Sequence, residues 1–546
     1  MAFIDIQTNN LSRELRNATT SSDDLVYVPG TAITGEWRQP ILLSNLDEFK
    51  SQFGDHGPEG SPTFEYVSGI LSSGLPVLFR RIVTENQDTL NGVLPDLSDT
   101  TTEEPPEGDG TTETTTVENK TCVKQAQAKI SHTVDGEEIV DFVVKEKFGG
   151  TFGNDMYITI RRNNSSIWLD VLLDKTLLER RRLAVISSAS DENNYTINKK
   201  VYNSLMNTEF DRIEITDIQE DFDAMLIEGK QRIPLSGGAD FDESLVPAEI
   251  PQSYQFIYDR MLYKPKFITA GGYYDDTSTG GAFPIANAMK NLTLARQDCK
   301  AIIDLAPFTS QEDYVTTAAS LSYVQDTNST LIPSANIYGP WCYMQVGADK
   351  LWMPPSYAYL TTMGARLSEG KKAYNPVAGL STGIIKNVIK TEFEIGTDVA
   401  EEWQSDTEVN INPIMQMNGS VYVLGGNSTL LLPEEETGEN NLFLESSADL
   451  AVIDIRRFVY NLATELQYQY NSAEAFETFG LKTSTYLDRM ITEGAVTDYA
   501  IYNESTDSEP RKLKIRLDVY LTPTVKKIQI LLNVGYGSIE MEGGAE

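Results

Sequence analysis

Apolar positions along the chain run together, alternate or recur at helical spacing, and each change of pattern marks an element. Leu25-Val26-Tyr27-Val28 is a short apolar run stopped by Pro29-Gly30, which predicts a strand. Pro40 to Leu43 is followed by Ser44 and, three residues on, Asp47, a helix N-cap signature with Gly54 as the stop. Pro62 to Gly74 predicts a helix opened by proline, and Leu75 to Val83 a buried strand. From Cys122 to about Pro234, alternation in Ile139-Val140-Asp141-Phe142-Val143-Val144 and in Met156-Tyr157-Ile158-Thr159-Ile160 predicts an inserted, mainly β domain.

After Leu235-Ser236-Gly237-Gly238 strands alternate with helices. Phe267 to Gly272 reads as strand then turn, Ile285 to Gln297 as helix, Cys299 to Leu305 as a strand ending in Asp304, and Gln311 to Asp326 as helix. That order argues for a parallel sheet. From about Ala373 the pattern changes again. Ser446-Ser447 read as the cap of a long helix whose Val452, Ile455, Val459, Leu462 and Leu466 recur at spacings of three and four. Leu513, Ile515, Leu517, Val519 and Leu521 alternate with polar residues, and after Thr522-Pro523 the alternation resumes at Ile528, Ile530 and Leu532. At the other end Phe3, Ile4 and Ile6 surround Asp5 in a strand-like run too short to form a core, an arm that either frays or pairs elsewhere.

Composition narrows the function classes. The 546 residues suit about three to four domains, with 40% hydrophobic and 23% charged residues. Lys plus Arg total 44 against 80 Asp plus Glu, a net charge of −36. Phosphate recognition needs clustered cations, so direct nucleic-acid binding is disfavoured, as is an anionic membrane surface. Glu85 to Asn119 holds ten acids and no Lys or Arg among Thr, Pro and Gly, and reads as a solvated insertion. Three scattered cysteines predict reduced thiols, not a disulfide framework. The opening Met-Ala-Phe-Ile-Asp-Ile has no basic n-region, so no signal peptide is expected, and no run reaches eighteen apolar residues, so no membrane insertion is expected.

The search for catalytic chemistry returns little. Gly379-Leu380-Ser381-Thr382-Gly383 matches a nucleophile elbow, but the only histidines, His56 and His132, both precede Ser381, whereas that fold needs the base after the nucleophile. Gly364 to Lys372 has the wrong spacing for a phosphate loop, and Lys372 stands where a Ser or Thr should hold magnesium. No zinc or calcium spacing is present, so no metal and no cofactor are expected. One charged feature stands out: Arg511, Lys512, Lys514, Arg516, Lys526 and Lys527 face one acid, Asp518, within seventeen residues. The strip is either a solvated strand face with gatekeeper lysines or a docking strip for an acidic neighbour.

Several stretches together resemble the contractile-tail sheath proteins of bacteriophages and related injection machines. Gly35 to Ile82 is similar to that family's opening block, with Gly35 to Pro40, the Asp47-Glu48-Phe49 to Phe53-Gly54 helix and a strand ending in Arg80-Arg81. Phe148-Gly149-Gly150-Thr151-Phe152-Gly153-Asn154-Asp155 and Pro234-Leu235-Ser236-Gly237-Gly238-Ala239-Asp240 resemble its two glycine-rich links. Tyr338-Gly339-Pro340-Trp341, Met353-Pro354-Pro355-Ser356 and Asn375-Pro376-Val377-Ala378-Gly379-Leu380 are further matches, although Tyr374 stands where the family has Trp.

The resemblance implies an α+β and α/β multidomain fold: an N-terminal arm (1–24), a subtilisin-like α/β middle domain without a catalytic triad (25–88 with 235–370), an inserted outer mainly-β domain (89–234) and a C-terminal α+β assembly domain (371–546). It implies a non-enzymatic subunit that stacks with its copies in sixfold rings around a tail tube. The sheath would meet baseplate and tail terminator proteins and contract to eject the genome, in a virion tail assembled in the host cytoplasm. A tailocin or other injection sheath is the alternative within the family, and a hydrolase or a monomeric adhesin lies outside it. Terminal arms in such proteins exchange strands between neighbours, which makes Phe3, Ile4, Asp5, Ile6, Leu513, Ile515, Leu517, Val519, Ile528 and Ile530 the candidates here. Lys512, Lys514, Arg516, Lys526 and Lys527 form the candidate docking strip, and Arg456 and Arg457 are the candidate tube contact.

Overall fold

The computed structural model describes residues 24–84, 122–162, 166–185, 210–217, 230–276, 282–307, 310–321, 323–324, 333–404, 409–425, 430–432, 444–467, 472–505 and 513–524. The arm residues Phe3, Ile4, Asp5 and Ile6, the acidic stretch 85–119, and Lys512, Lys526, Lys527, Ile528 and Ile530 lie outside the described residues. The chain divides into two compact units, Met1–Leu462 and Ala463–Glu546.

In the first unit the chain runs β1 (Val26–Gly30), β2 (Ile41–Leu43), α1 (Leu46–Phe53), α2 (Thr63–Ser72) and β3 (Val77–Arg81). It passes through the inserted strands β4 (Gln127–Val134), β5 (Glu137–Glu146), β6 (Met156–Arg162), β7 (Ser166–Leu173), β8 (Thr176–Val185), β9 (Ile213–Thr216) and β10 (Lys230–Pro234). It returns with α3 (Val246–Ser253), β11 (Phe267–Ile268), α4 (Pro284–Arg296), β12 (Lys300–Ile303), α5 (Gln311–Leu321), β13 (Tyr323–Val324), β14 (Ala335–Gly339), β15 (Cys342–Val346), β16 (Asp349–Met353) and α6 (Pro355–Ser368). The single turn α7 (Gly379–Thr382), β17 (Ile384–Ile385), β18 (Val388–Thr391), α8 (Thr397–Trp403), β19 (Ile411–Met417), β20 (Ser420–Val423), β21 (Leu431–Leu432) and α9 (Ser446–Leu466) follow.

Nine strands form one sheet in the order β17-β20-β19-β14-β12-β11-β1-β3-β2. The six from β19 to β3 are parallel to their neighbours, and β2, β20 and β17 close the edges antiparallel. The expected parallel sheet is therefore present. It takes in residues on both sides of 370/371, because β17, β19 and β20 join it from beyond that point. Parallel strands buried on both faces need helices on both. On β3, Leu78 belongs to the apolar cluster that holds Ile250 of α3, Met289 of α4 and Ala318 of α5. Phe79, one residue on, meets Phe49 and Phe53 of α1 at ring-centroid distances of 5.5 and 4.8 Å. The period of two in a strand sends these neighbours to opposite layers.

Local chemistry sets the element ends. The cap of α1 is Asn45, one residue after the expected Ser44: its Oδ1 accepts from the Glu48 amide at 2.8 Å, and Glu48 Oε2 accepts from the Ser44 amide at 2.9 Å. Gly54 ends the helix at φ 101°, backbone that glycine adopts without strain. Helix α5 stops at Leu321, short of the expected Asp326, because Tyr323 and Val324 pair with Leu431 and Leu432 as a strand. Ser446 and Ser447 lie inside the first turn of α9, where Ser446 to Ala451 are buried all round. Beyond those six residues Ile453, Ile455 and Leu462 are buried, while Val452 and Val459 of the expected stripe are partly exposed.

The inserted domain is two antiparallel sheets, β4-β5-β9 and β10-β6-β7-β8, around one core that includes Ile130, Phe142, Val144, Ile158, Ile160, Leu169, Val171 and Ile215. Its junction with the parallel sheet is built on Arg81, which is fully buried at the end of β3. Arg81 Nε donates to Ala32 O (3.0 Å), Nη1 to Gly35 O (2.9 Å) and Phe148 O (2.8 Å), and Nη2 to Gly149 O (2.7 Å). Burial pushes its pKa down to about 10, with Glu146 opposing. Gly150, at φ 119°, has no room for a side chain, since a Cβ there would lie 2.1 Å from Ile33 O. Asn154 Nδ2 donates to Gly238 O and the Gly238 amide donates to Asn154 Oδ1, both at 2.9 Å, while Asp240 accepts from the Thr151 amide and hydroxyl. The motifs at Gly35, Arg81, Gly149-Gly150, Asn154 and Gly238-Asp240 thus converge on one joint.

The second unit holds α10 (Ala473–Thr492) and the antiparallel pair β22 (Val496–Asn503) and β23 (Ile515–Leu521). Helix α10 went unread in the sequence, although Ala475, Phe479, Thr483, Leu487 and Met490 are buried at spacings of four and three. Gly480 and the Thr-Ser-Thr run at 483–485 hide that stripe behind poor helix formers.

Replacing Arg81 with Met should leave four carbonyls and Glu146 without their cation. The expected loss is about 3–5 kcal/mol in urea unfolding, the scale for breaking a buried charge arrangement. A loss under about 1 kcal/mol would remove Arg81 from its role at the joint.

Candidate assembly surface

In open α/β sheets ligands bind outside the C-terminal ends of the strands, where helix N-termini present free amides. Here those amides are taken by the chain's own carboxylates. Asp304, just past β12, accepts from the Ser356 amide (2.8 Å) and hydroxyl at the start of α6. Asp275 accepts from the Ile285 and Ala286 amides of α4, both at 2.9 Å. Glu243 accepts from Tyr273 (2.8 Å) and from Thr31, beside Ser61 and Thr63. Burial raises the pKa of all three carboxyls and pushes Asp304 up to about 7.

The elbow-like turn is separate from this cluster. Ser381 is exposed on α7, and among the described residues neither histidine bonds to it: His56 pairs with Asp55 and His132 with Asp141. Cys122, Cys299 and Cys342 are buried and unbridged, and burial pushes the last two thiols up to about 12. Among the described residues no group of three His, Cys, Asp or Glu could hold a metal ion, and no helix is long and apolar enough to cross a membrane.

At the opposite, N-terminal ends of the strands, α9 is bound by buried ions. Lys266, just before β11, contacts both Asp24 and Asp454 (2.7 Å to the latter), and Lys300 at the start of β12 contacts Asp449, which also accepts from Ser334. Burial lowers the Lys300 pKa despite its one carboxylate, whereas Lys266, with two, ends above its ordinary value against the same desolvation. Arg456 and Arg457 belong to this belt. Arg456 Nη1 donates to Gln297 Oε1 (3.0 Å) and Arg457 Nε to Asp298 O (2.7 Å), so the half-buried pair that the sequence suggested for a tube contact is engaged within its own chain. Sequence patterning hid this because the partners lie more than 150 residues away.

In the second unit, Leu513, Ile515, Leu517 and Val519 are half-buried, while Lys514, Arg516 and Tyr520 are exposed, as the alternation anticipated. Among the described residues β22 and β23 pair only with each other, so each keeps an open edge. The described part of the basic strip has local partners: Lys514 Nζ lies 3.2 Å and Arg516 Nη1 3.1 Å from Glu504, and Arg516 stacks over Tyr502 at 4.3 Å. Glu504 precedes the strip, so a charge count over 511–527 misses it.

Two tests follow from these contacts. Asp304 has a folded pKa near 7 and an unfolded one near 4, so between those values the folded state holds a proton the unfolded state has lost, and stability falls as pH rises. Asp304→Asn should remove that slope, so that the stability of wild type minus variant declines from pH 5 to 7 and is flat above; parallel profiles would show that the carboxyl is ionised throughout. Lys266→Met should lower stability by about 3–5 kcal/mol by stranding two carboxylates, and adding Asp454→Asn should recover part of it. A fully additive double variant would mean that the two do not interact.

No family profile and no curated protein matches this chain. Solved structures do. A sheath tail protein from Listeria innocua superposes with a TM-score of 0.57 at 13% identity, over 94% of this chain and 95% of that one. A sheath tail protein from Desulfitobacterium hafniense gives a TM-score of 0.52 at 12% identity, over 91% and 92%. At such identities the likeness establishes the fold, and the chain has the multidomain α+β fold of sheath tail proteins.

Proposed function

We propose that this chain is the sheath subunit of a contractile bacteriophage tail. One observation carries the reading: the superposition on two sheath tail proteins spans more than nine-tenths of both chains, although sequence identity is only 12–13%. Carboxylate-filled helix N-termini at the head of the sheet agree with a structural, non-enzymatic role for a subtilisin-type core. In this reading copies stack in sixfold rings around a tail tube, between baseplate and terminator proteins. The open edges of β22 and β23 take strands from neighbouring copies, and the terminal arms donate them. Contraction is a switch between two packings of the same subunits, driven by larger interfaces in the shortened state. The inserted domain favours a phage tail over a tailocin, because an outward insertion on a cylinder is sterically free.

The test is negative-stain electron microscopy of the concentrated protein, alone and with the tube protein of the same source. Hollow ridged tubes are expected in at least the second case, and removal of residues 1–20 should abolish long tubes while leaving folded subunits. Single particles under both conditions would overturn the assignment.

A further inference from the structure

The four-stranded sheet of the inserted domain turns a cationic face to solvent in a chain of net charge −36. Residues 156–185 carry six Arg or Lys against three acids, counted over both faces of the sheet. Met156, Ile158, Ile160, Leu169 and Val171 point into the core, so the alternate residues Tyr157, Thr159, Arg161, Trp168 and Asp170 form the other face, with Arg180 paired opposite Asp170. Of the three acids, Asp170 is fully buried beneath two guanidinium groups: Arg180 reaches it through Nε (2.7 Å) and Nη2 (2.9 Å), Arg161 through Nε (2.8 Å). Glu179 is turned away, accepting from the Asp211 and Arg212 amides, and only Asp174 is exposed, 3.6 Å from Arg232. Arg161, Arg180 and Arg232 remain 60, 43 and 53% exposed, and Arg232 lies 4.7 Å from the centre of the Tyr157 ring. Among the described residues two arginines share one carboxylate, which leaves a net positive charge and N–H groups in a planar arrangement suited to further carboxylates.

The complementary chemistry is in the same chain. The ten acids of residues 85–119 have no cation among them, and the stretch is rooted at Thr84 and Cys122, which pair as an antiparallel bridge. From Cys122 the path to the face is short: Gln127 pairs with Ser236, and Pro234 pairs with Tyr157. Chain geometry puts Tyr157 at most about 35 Å from the root and Arg180 about 45 Å, whereas half of the 85–121 stretch can reach about 60 Å. A tether of that length keeps the acids at roughly millimolar effective concentration around the arginines.

We propose that the acidic segment 85–119 docks on the arginine face of its own chain, its carboxylates pairing with Arg161, Arg180 and Arg232. The reading is independent of the sheath assignment. To test it, a variant in which 85–119 is replaced by a short Gly-Ser linker is titrated with a fluorescent peptide of that sequence, followed by anisotropy at low and at physiological salt. The linker closes readily because Thr84 and Cys122 are already paired. Binding is expected at low salt and weakened by added salt. Arg161→Gln with Arg232→Gln should weaken it about fivefold or more, and this pair leaves the bidentate Arg180–Asp170 contact to hold the fold. A peptide with Glu103, Glu104 and Glu107 changed to Gln should also bind more weakly. The intact chain should bind the peptide at least tenfold more weakly than the linker variant, because its own segment competes. Equal binding to both proteins, no binding to either, or binding of heparin but not of the peptide would each overturn the proposal. Protection of the intact chain that disappears on dilution would overturn it in favour of a second copy.

Discussion

A charge removed from water must meet its counter-charge or a full set of dipoles, and in this protein that constraint organises the first unit. Among the described residues five cations are at most 1% exposed, Arg80, Arg81, Lys266, Arg296 and Lys300, and three of them tie distant segments to the parallel sheet. Arg81 is satisfied by four carbonyls with Glu146 nearby, Lys266 by two carboxylates, and Lys300 by one. Each solution recruits groups from distant parts of the chain. The Arg81 arrangement joins residues 32–35 to 148–149, and the lysines join residues 24, 266 and 300 to helix α9. Apolar packing could tolerate small slips of these parts against one another. A guanidinium with four carbonyl partners tolerates very little, because every slip leaves a buried acceptor bare.

The two ends of the parallel sheet then carry opposite chemistry. At the strands' C-terminal ends carboxylates cap helices; at their N-terminal ends lysines and arginines hold α9. The first arrangement occupies the place where an enzyme of this class would take its ligand, with Asp275 and Asp304 on helix amides where phosphates or substrate carboxylates would sit. The second ties residue 24, at the root of the N-terminal segment, to α9 through the single ammonium of Lys266.

Much of the architecture was legible because it rests on short-range rules. The alternation at 139–144 and 156–160, the apolar run at 75–83 and the strand-helix alternation from 267 to 303 all correspond to elements found in the structure. Where the reading slipped, a competing local interaction explains it. Asn45 took the cap from Ser44 because its side chain reaches the Glu48 amide while Glu48 returns the bond, and residues 323–324 left the helix for a strand partner that arrives more than 100 residues later. Helix α10 was missed because its buried stripe includes a threonine and its sequence is rich in residues that compete with helix formation.

The sequence by itself determined most of the element types, the run of alternating strands between the first and the later strands of the parallel sheet, the absence of a Ser-His pair in the chain order an elbow requires, and the strongly acidic character, since these depend on neighbours and on counting. Only the tertiary structure decided what the motifs are for. Gly35, Arg81, Gly149-Gly150, Asn154 and Gly238-Asp240 are far apart along the chain, and they prove to be one joint: a buried guanidinium takes carbonyls from residues 32, 35, 148 and 149, and the Asn154–Gly238 and Thr151–Asp240 hydrogen bonds tie the second glycine-rich link beside it. Arg456 and Arg457 are surface-like in sequence and are bound to loop carbonyls 159 and 192 residues away. Long-range pairing of this kind leaves no periodicity to read, because its geometry exists only once the sheet has set the spacing of its strands.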